Sequence, residues 1–428
     1  MGWNYRGNVS DCNATGTVIA EMVAGGLVGW NHHGNISVCS AAAAVDGRQD
    51  IGGLVGDNFG GDIFDSRSTG AVYGLDSVGG LAGRSDGNIT HCDSASPVEG
   101  HSNVGGLVGF NEGPVSRSRA NGEVTGTFRV GGLAGCNKNA VFASHASAAV
   151  AADGDQAGGL VGFNTGEISA CYATGRAKGA DDVGGLVGRN ANGDITESRA
   201  AGEAEGFWRV GALAGSNYGT VSKSCAAGEA SASRWVGGLL GYNEGAVICC
   251  YATAKVTAEG DAGGLIGWNR TGWVSCCYAA GPVASGGRAG ALAGENDAAV
   301  QACFWDMETT GIVRMCANST AASGCGPKST AEMETIITFL DGNWDFEGES
   351  RNGTDNTWRM CADGQDYPRL RWEFERDGLV CPGHGGSGGL AAIANNWLQI
   401  GCGECGGADL NGDGIVNMKD FALFAAGF

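Results

Sequence analysis

Asp409, Asn411, Asp413, Asn417 and Asp420 stand at positions 1, 3, 5, 9 and 12 of one twelve-residue segment, with Gly414 at position 6 and Ile415 at position 7. Hard oxygen donors at this spacing can wrap a calcium ion, with the glycine making the sharp turn and Ile415 offering its backbone carbonyl. Calcium is therefore the cofactor the sequence predicts; a polar Gly-Asn-Asp turn is the plain alternative. A second group suits ligand binding. Trp208-Arg209 and Arg234-Trp235 fall one repeat apart and would lie side by side as a cation–π patch. An aromatic column at Trp3, Trp30, Phe110, Phe163, Tyr242 and Trp268 reads first as corner packing and second as a platform for sugar rings. Catalytic groups are harder to find. Asp50, Asp182 and Asp261 share one column, but they stand several repeats apart and alternate with Arg129, Arg209 and Arg288. That is no carboxylate dyad. No His-Glu-x-x-His is present, and no Gly-x-Ser-x-Gly elbow with partners stands out, so the chain is not expected to be an enzyme.

These residues are positioned by a repeated phrase: an apolar residue, Gly-Gly-Leu, an apolar residue, Gly, any residue, Asn. Ala24-Gly25-Gly26-Leu27-Val28-Gly29-Trp30-Asn31 is its first whole copy, and it returns every 26 or 27 residues up to Gly290. A fixed period of this size means one structural unit stacked many times. Aligned copies form columns. One is an asparagine ladder: Asn31, Asn58, Asn111, Asn137, Asn164, Asn190, Asn217, Asn243, Asn269 and Asn296, preceded by Asn4 and interrupted by Ser85. An aliphatic column follows (Ile36, Ile63, Ile89, Val115), then a cysteine–serine column (Cys12, Cys39, Ser66, Cys92).

Three short apolar stretches per repeat, separated by Gly, Asn, Asp or Ser, predict strands and turns. Double glycines argue against helices. The predicted fold is all-β: a parallel β-solenoid of about twelve coils, roughly 55 Å long at ~4.8 Å per coil. Aliphatic and cysteine side chains would point inward. The asparagines would sit at a corner, hydrogen-bonding up the stack and taking the left-handed backbone that turns need. In apolar-Gly-Gly-Leu-apolar, an ideal strand would turn Leu away from its two apolar neighbours. Either a bulge at the glycines brings all three inward, or one apolar stripe lies outside and favours lateral association.

Composition bounds the partners. The 428 residues carry a formal net charge of −20 with 26 Lys and Arg, which repels phosphate backbones and disfavours nucleic acid. No apolar run approaches the ~20 residues of a membrane span. Met1-Gly2-Trp3 starts inside a coil, so an export signal is expected to lie outside this chain. Seventeen cysteines are either stacked buried thiols or disulfides of an oxidising compartment.

The columns resemble the GLUG motif family, through Gly26-Leu27-Val28-Gly29 and its relatives over residues 1 to 303; Ala212 and Ala291 replace the motif's first glycine in two copies. The resemblance implies a bacterial surface or secreted, adhesin-like protein. Residues 304–375, with Phe304-Trp305-Asp306 and Gly342-Asn343-Trp344-Asp345-Phe346, resemble the segment that ends such arrays in planctomycete-type exported proteins. They are expected to cap the solenoid, with a helix from Ser329 to Leu340, apolar cover from Trp344, Phe346, Trp358, Tyr367, Leu370 and Trp372, and a loop closed by Cys316 and Cys325. Residues 376–388 read as a linker and 389–428 as a helical module. Asp420, where an EF-hand carries Glu, makes that module resemble dockerin type I repeats, with Leu390, Ile393, Trp397 and Leu398 on the helix after a lost first loop. Cys402 and Cys405 are expected in a structural disulfide rather than a zinc or redox pair.

The expected function is that of a non-catalytic extracellular or cell-surface rod, structural or adhesive, with a calcium-stabilised tail that docks a protein partner. The alternatives are a self-assembling fibre, joined through solenoid ends or sides, and a β-helix that binds or cleaves surface glycans.

Overall fold

The computed structural model describes residues 1–318, 322–349, 351–377, 379 and 381. The chain divides into two compact units, Met1–Thr330 and Ala331–Phe428.

The first unit is a parallel β-solenoid. One coil runs through five short strands: Val28–His32, Asn35–Ser37, Ser40–Ala41, Ala44–Asp46 and Gln49–Gly52. Stacking generates five parallel sheets, here numbered 1 to 5 in that order, of 12, 13, 13, 11 and 11 strands among the described residues. Like pairs with like throughout: Asn31 with Asn58, Ile63 with Ile89, Val72 with Val98, Gly52 with Gly79. The sequence pattern predicts three strands per coil, and the structure has five. One additional strand comes from the phrase itself, which divides between sheets 5 and 1 (Gln49–Gly52 and Val55–Phe59); the other is the two-residue strand of sheet 3, such as Ser40–Ala41 or Arg119–Ala120, too short to show as an apolar run.

At the Gly-Gly-Leu phrase the chain bends from sheet 5 into sheet 1. Leu27 and Val28 both donate their N–H to the Leu54 carbonyl, at 3.0 and 3.1 Å, and Leu54 and Val55 both donate to Leu81 at 2.9 Å. Two N–H groups of one coil thus share one carbonyl of the next, while the pairing stays like for like on both sides (Gly25 with Gly52, Val28 with Val55), so the phrase is a corner between sheets 5 and 1 and not the expected bulge with its extra residue. As a result Ile51, Leu54 and Val55 are all buried, as are their counterparts Val104, Leu107 and Val108. No outer apolar stripe arises from the phrase. Glycine is required because sheets 1 and 5 meet backbone to backbone here: a Cβ on Gly109 would lie 2.5 Å from the Ser77 carbonyl carbon and the Val78 nitrogen.

The left-handed backbone falls elsewhere than expected. The ladder asparagines end ordinary strands. Two other non-glycine columns take positive φ: Val38 (54°), Asp65 (49°), His91 (52°) and Arg117 (49°) before the cysteine–serine column, and Asp50 (54°), Asp182 (55°), Arg209 (55°) and Trp235 (56°) before the phrase. An amide ladder needs side chains superposed in parallel register, which a strand supplies; the turn conformation is taken by residues whose side chains need not align.

Cysteine and serine interchange in their column because each does two jobs. Cys39 donates to the Ser37 carbonyl at 3.2 Å, and Ser118 to that of Ser116 at 2.9 Å. Each also accepts from the coil before it: Cys39 N–H to Ser66 Oγ at 3.1 Å, Cys250 N–H to Cys277 Sγ at 3.3 Å. Burial pushes the Cys92 thiol up to about 12, which leaves it un-ionised and unreactive.

Residues 304–330 finish the stack by imitating a further coil. Ala322–Ser323 extends sheet 2 and Gly326–Lys328 extends sheet 3. The Met315 carbonyl takes both N–H groups of Leu292 and Ala293, as the next Leu would. Cys325 Sγ accepts from Cys303 N–H at 3.3 Å and so continues the thiol column; it forms no disulfide with Cys316, contrary to expectation. Asp306 caps the short helix Met307–Thr310.

In the second unit, Phe339, Trp344, Phe346, Trp358 and Leu370 are fully buried, with the Trp344 and Trp358 rings stacked at 4.6 Å. The helix expected from Ser329 to Leu340 is two, Thr330–Met333 and Ile336–Leu340. Thr335 between them is extended (φ −109°, ψ 121°), in a β-branched run that disfavours a continuous helix. Trp358–Arg359 pairs antiparallel with Arg369–Leu370. A disulfide joins Cys361 and Cys381. The linker from 382, the helix residues Leu390 to Leu398, Cys402, Cys405 and the whole calcium loop, Asp409, Asn411, Asp413, Ile415, Asn417 and Asp420, lie outside the described residues.

Candidate ligand-binding face

The ladder asparagines are internal. Each donates one amide hydrogen to the next rung: Asn31 to Asn58 at 2.7 Å, Asn164 to Asn190 at 2.9 Å, Asn190 to Asn217 at 2.8 Å, Asn243 to Asn269 at 2.9 Å and Asn269 to Asn296 at 2.7 Å. The other hydrogen goes to a carbonyl just downstream, as from Asn31 to Gly34 at 2.6 Å. These amides are nearly all fully buried, so they stabilise the rod and present nothing to a ligand.

The four patch residues do come together, and the structure enlarges the patch. The residue before each phrase faces the residue before the next coil's asparagine. Trp235 therefore meets Trp268 with ring centroids 5.1 Å apart, and Asp182 hydrogen-bonds Ser216. Trp208 lies 6.3 Å from Trp235 at an interplanar angle of 56°, Trp268 packs edge-on to Tyr242 at 5.4 Å, and Tyr218 sits 5.9 Å from Tyr242. Phe207, 54% exposed, stacks on Trp208, which is 44% exposed. The guanidinium of Arg234 lies 4.9 Å from the Trp235 ring centre.

Two compact ion-pair groups bracket these rings. Arg209 reaches Asp182 at 3.0 Å and Asp181 at 3.4 Å, while Arg189 lies 3.7 Å from Asp182. On the other side Arg234 and Arg288 hold Asp261 at 2.8 and 2.9 Å, and Arg288 also bonds Glu295. Burial raises the pKa of Asp182 despite its arginines. For Asp261, burial pulls upward too, but the hydrogen bonds from Arg288 and Arg234 outweigh it and hold the carboxyl below its usual range. Trp268 anchors its indole N–H on Asp297 at 2.9 Å. The buried Nε1 of Trp235 has no hydrogen-bond partner among the described residues.

Sequence columns alone missed Phe207, Tyr218, Arg189 and Glu295. For Arg189 and Glu295, which precede a ladder asparagine, the signal is the offset of one coil plus seven or eight residues that joins the two corner columns, as in the 34-residue step from Asp182 to Ser216; Phe207 and Tyr218 stand outside both columns. A different acidic group occupies the early coils. Burial, reinforced by the Asp50 carboxylate, pushes Asp57 up to about 6.

Residues 153–177 match the GLUG motif. That stretch is one coil's worth of chain, and the phrase beginning inside it at Ala157-Gly158 pairs in register with Val130-Gly131 and Val183-Gly184. The match and the like-on-like stacking together support a GLUG-repeat solenoid, a structural repeat protein. No curated protein and no solved structure matches the chain. Among the described residues no helix is long and apolar enough to cross a membrane.

Proposed function

We propose that this protein is a non-catalytic extracellular or cell-surface rod that displays its faces for adhesion or matrix structure, anchored by a calcium-dependent tail. The observation that carries this reading is the uninterrupted use of the interior for stacking: core, thiol–serine column and amide ladder all serve coil-on-coil contact, and the function is left to the surface. At the C-terminal end of the stack Ala322–Ser323 and Gly326–Lys328 cover the last coil's edge in sheets 2 and 3, which would close those two edges to fibre growth. Negative-stain images with and without calcium test it: short monodisperse rods in both conditions support display, and filaments would replace it with a fibre.

The tail reading rests on the donor set Asp409, Asn411, Asp413, Ile415, Asn417 and Asp420. Asp409→Ala should abolish the calcium heat signal in calorimetry, and unchanged binding would remove the metal from the account. A second reading, a carbohydrate-active β-helix, draws on Asp57 and Asp50, two carboxyls both raised by burial. Release of reducing ends, lost in Asp57→Asn, would establish it in place of the non-catalytic one.

A further inference from the structure

We propose that the indoles of Trp208, Trp235 and Trp268 form a platform for a neutral, linear polysaccharide lying along the solenoid. The proposal rests on the reading of the solenoid as a display rod and names what one of its faces holds.

Trp208 and Trp235 stand in sheet 5 of adjacent coils and Trp268 in the adjoining sheet 1, with centroids 6.3 and 5.1 Å apart along the series. Such a series advances with the coil spacing and offers successive sugar rings one aromatic contact apiece. Ring attitude matters as much as ring number. In the first coils Trp3 and Trp30 lie 6.0 Å apart at only 24°, so their faces are turned to each other. Trp208 is tilted by 56° from Trp235 and is 44% exposed, with Phe207 stacked on one of its faces at 29°, while Trp235 and Trp268 are half-buried and lie 33° apart. Beside it Phe207 is 54% exposed, so the two residues form a contiguous apolar surface rather than scattered ones.

Charge selects the ligand. The chain as a whole carries −20, yet this face is close to balanced: Arg189 and Arg209 answer Asp181 and Asp182, Arg234 and Arg288 answer Asp261 and Glu295, Arg270 answers Glu244, and Asp297 on the Trp268 indole is the one carboxylate over. An anionic glycan would find no surplus of positive charge and would be repelled by the remaining surface. A cationic ligand would favour the acidic coils elsewhere. A neutral polymer suffers neither effect, while the paired carboxylates and guanidinium groups offer pre-oriented acceptors and donors to its hydroxyls. Phe207 and Trp208, 54% and 44% exposed, give the face an accessible apolar surface. A chain-like ligand suits an open face better than a small molecule does.

Native affinity electrophoresis of the full chain in gels containing hydroxyethylcellulose, galactomannan or mixed-linkage β-glucan, with alginate as the anionic control, tests the proposal. At least one neutral polymer should retard the protein and alginate should not. Trp208→Ala and Trp268→Ala should each weaken retardation by about tenfold in apparent affinity. Trp273→Ala removes an equally exposed tryptophan from sheet 2 and should change nothing. Should Trp268→Ala lose its thermal transition, the exposed Trp208→Ala decides. Absence of retardation in all three neutral gels, stronger retardation by alginate, or wild-type behaviour of Trp208→Ala would overturn the platform. Retardation accompanied by released reducing ends would keep the platform and sink the non-catalytic reading, so the two failures are distinguishable.

Discussion

Single positions show how finely the stack is tuned. Ser85 is the one rung of the amide ladder that is not asparagine. Its hydroxyl accepts from Asn58 at 3.0 Å and donates its only hydrogen to the Gly87 carbonyl at 3.1 Å. Nothing remains for the next rung, and the buried Asn111 Oδ1 is left without a partner. Ser85→Asn should restore the missing hydrogen bond and stabilise the protein by about 1 kcal/mol, seen as a higher denaturation midpoint at unchanged slope. Asp57 provides the pH counterpart. Its folded-state pKa of about 6 lies above the unfolded carboxyl value of ~3.9, so the folded state binds the proton more tightly. Its contribution is complete below about pH 4 and is lost as pH rises through 6. Melting curves at pH 4, 5 and 7 should therefore show the wild type losing ground to Asp57→Asn as pH rises; parallel curves would mean the carboxyl is solvated. The ladder was legible in the sequence as a column. The Asp57 shift was not, because it depends on which carboxylates the coil brings together.

At the level of the strand and its bends, the repeated phrase encodes a close approach of two sheets more than a strand. Its three glycines are not equivalent. Ala212 and Ala291 stand naturally at the second glycine position and are fully buried, so a methyl is accommodated there. An ideal Cβ would meet backbone at both the second and the last glycine, 2.1 Å from the Gly132 carbonyl at Gly106 and 2.4 or 2.5 Å from main-chain atoms of the strand in sheet 5 at Gly83 or Gly109, but only at the second position do natural alanines show that the stack yields. Gly109→Ala should thus cost more than about 3 kcal/mol, whereas Gly106→Ala, at the second position, should be far milder; equal costs in urea unfolding would refute the distinction. The phrase announced a departure from a regular strand through its glycines and the mismatch between Leu and strand alternation, but not that the departure is a corner between two sheets in place of a bulge. The two left-handed columns stayed hidden because their occupants share no chemistry: Val38, Asp65, His91, Arg117 and Lys223 all take positive φ at one position of the coil. Their conformation is imposed by keeping Ile36 and Cys39 both inside, three residues apart and both buried. Tertiary stacking overrides local preference here, even for a β-branched valine.

Across the whole first unit, each coil contacts chiefly its two neighbours, and every sheet crosses every coil in the same order. Stability is then approached as a sum of coil and interface contributions, and coils should be removable in whole units. Residues 131–157 make one such unit. Val130 pairs with Ala157 and Gly131 with Gly158, so excising it joins Val130 directly to Gly158 with the phrase intact. The ladder should close as well: Asn111, which now donates to Asn137 at 2.8 Å, would meet Asn164, the rung to which Asn137 itself donates at 2.8 Å. Glu112 would lose Lys138 but keep Arg84, a change confined to exposed side chains. The shortened chain should fold with an unchanged β signature in circular dichroism, a rod ~4.8 Å shorter, and a denaturation midpoint close to that of the parent. A deletion displaced by one residue, 132–158, preserves the junction sequence through Gly131 and Gly159 and should behave alike, whereas removing 131–156 inserts an extra residue before the double glycine. That slip would turn side chains of the strand between faces and drive apolar residues outward. Aggregation of the in-register deletion, or equal stability of the slipped one, would show that the coils are not interchangeable units and that the repeat carries information beyond its period.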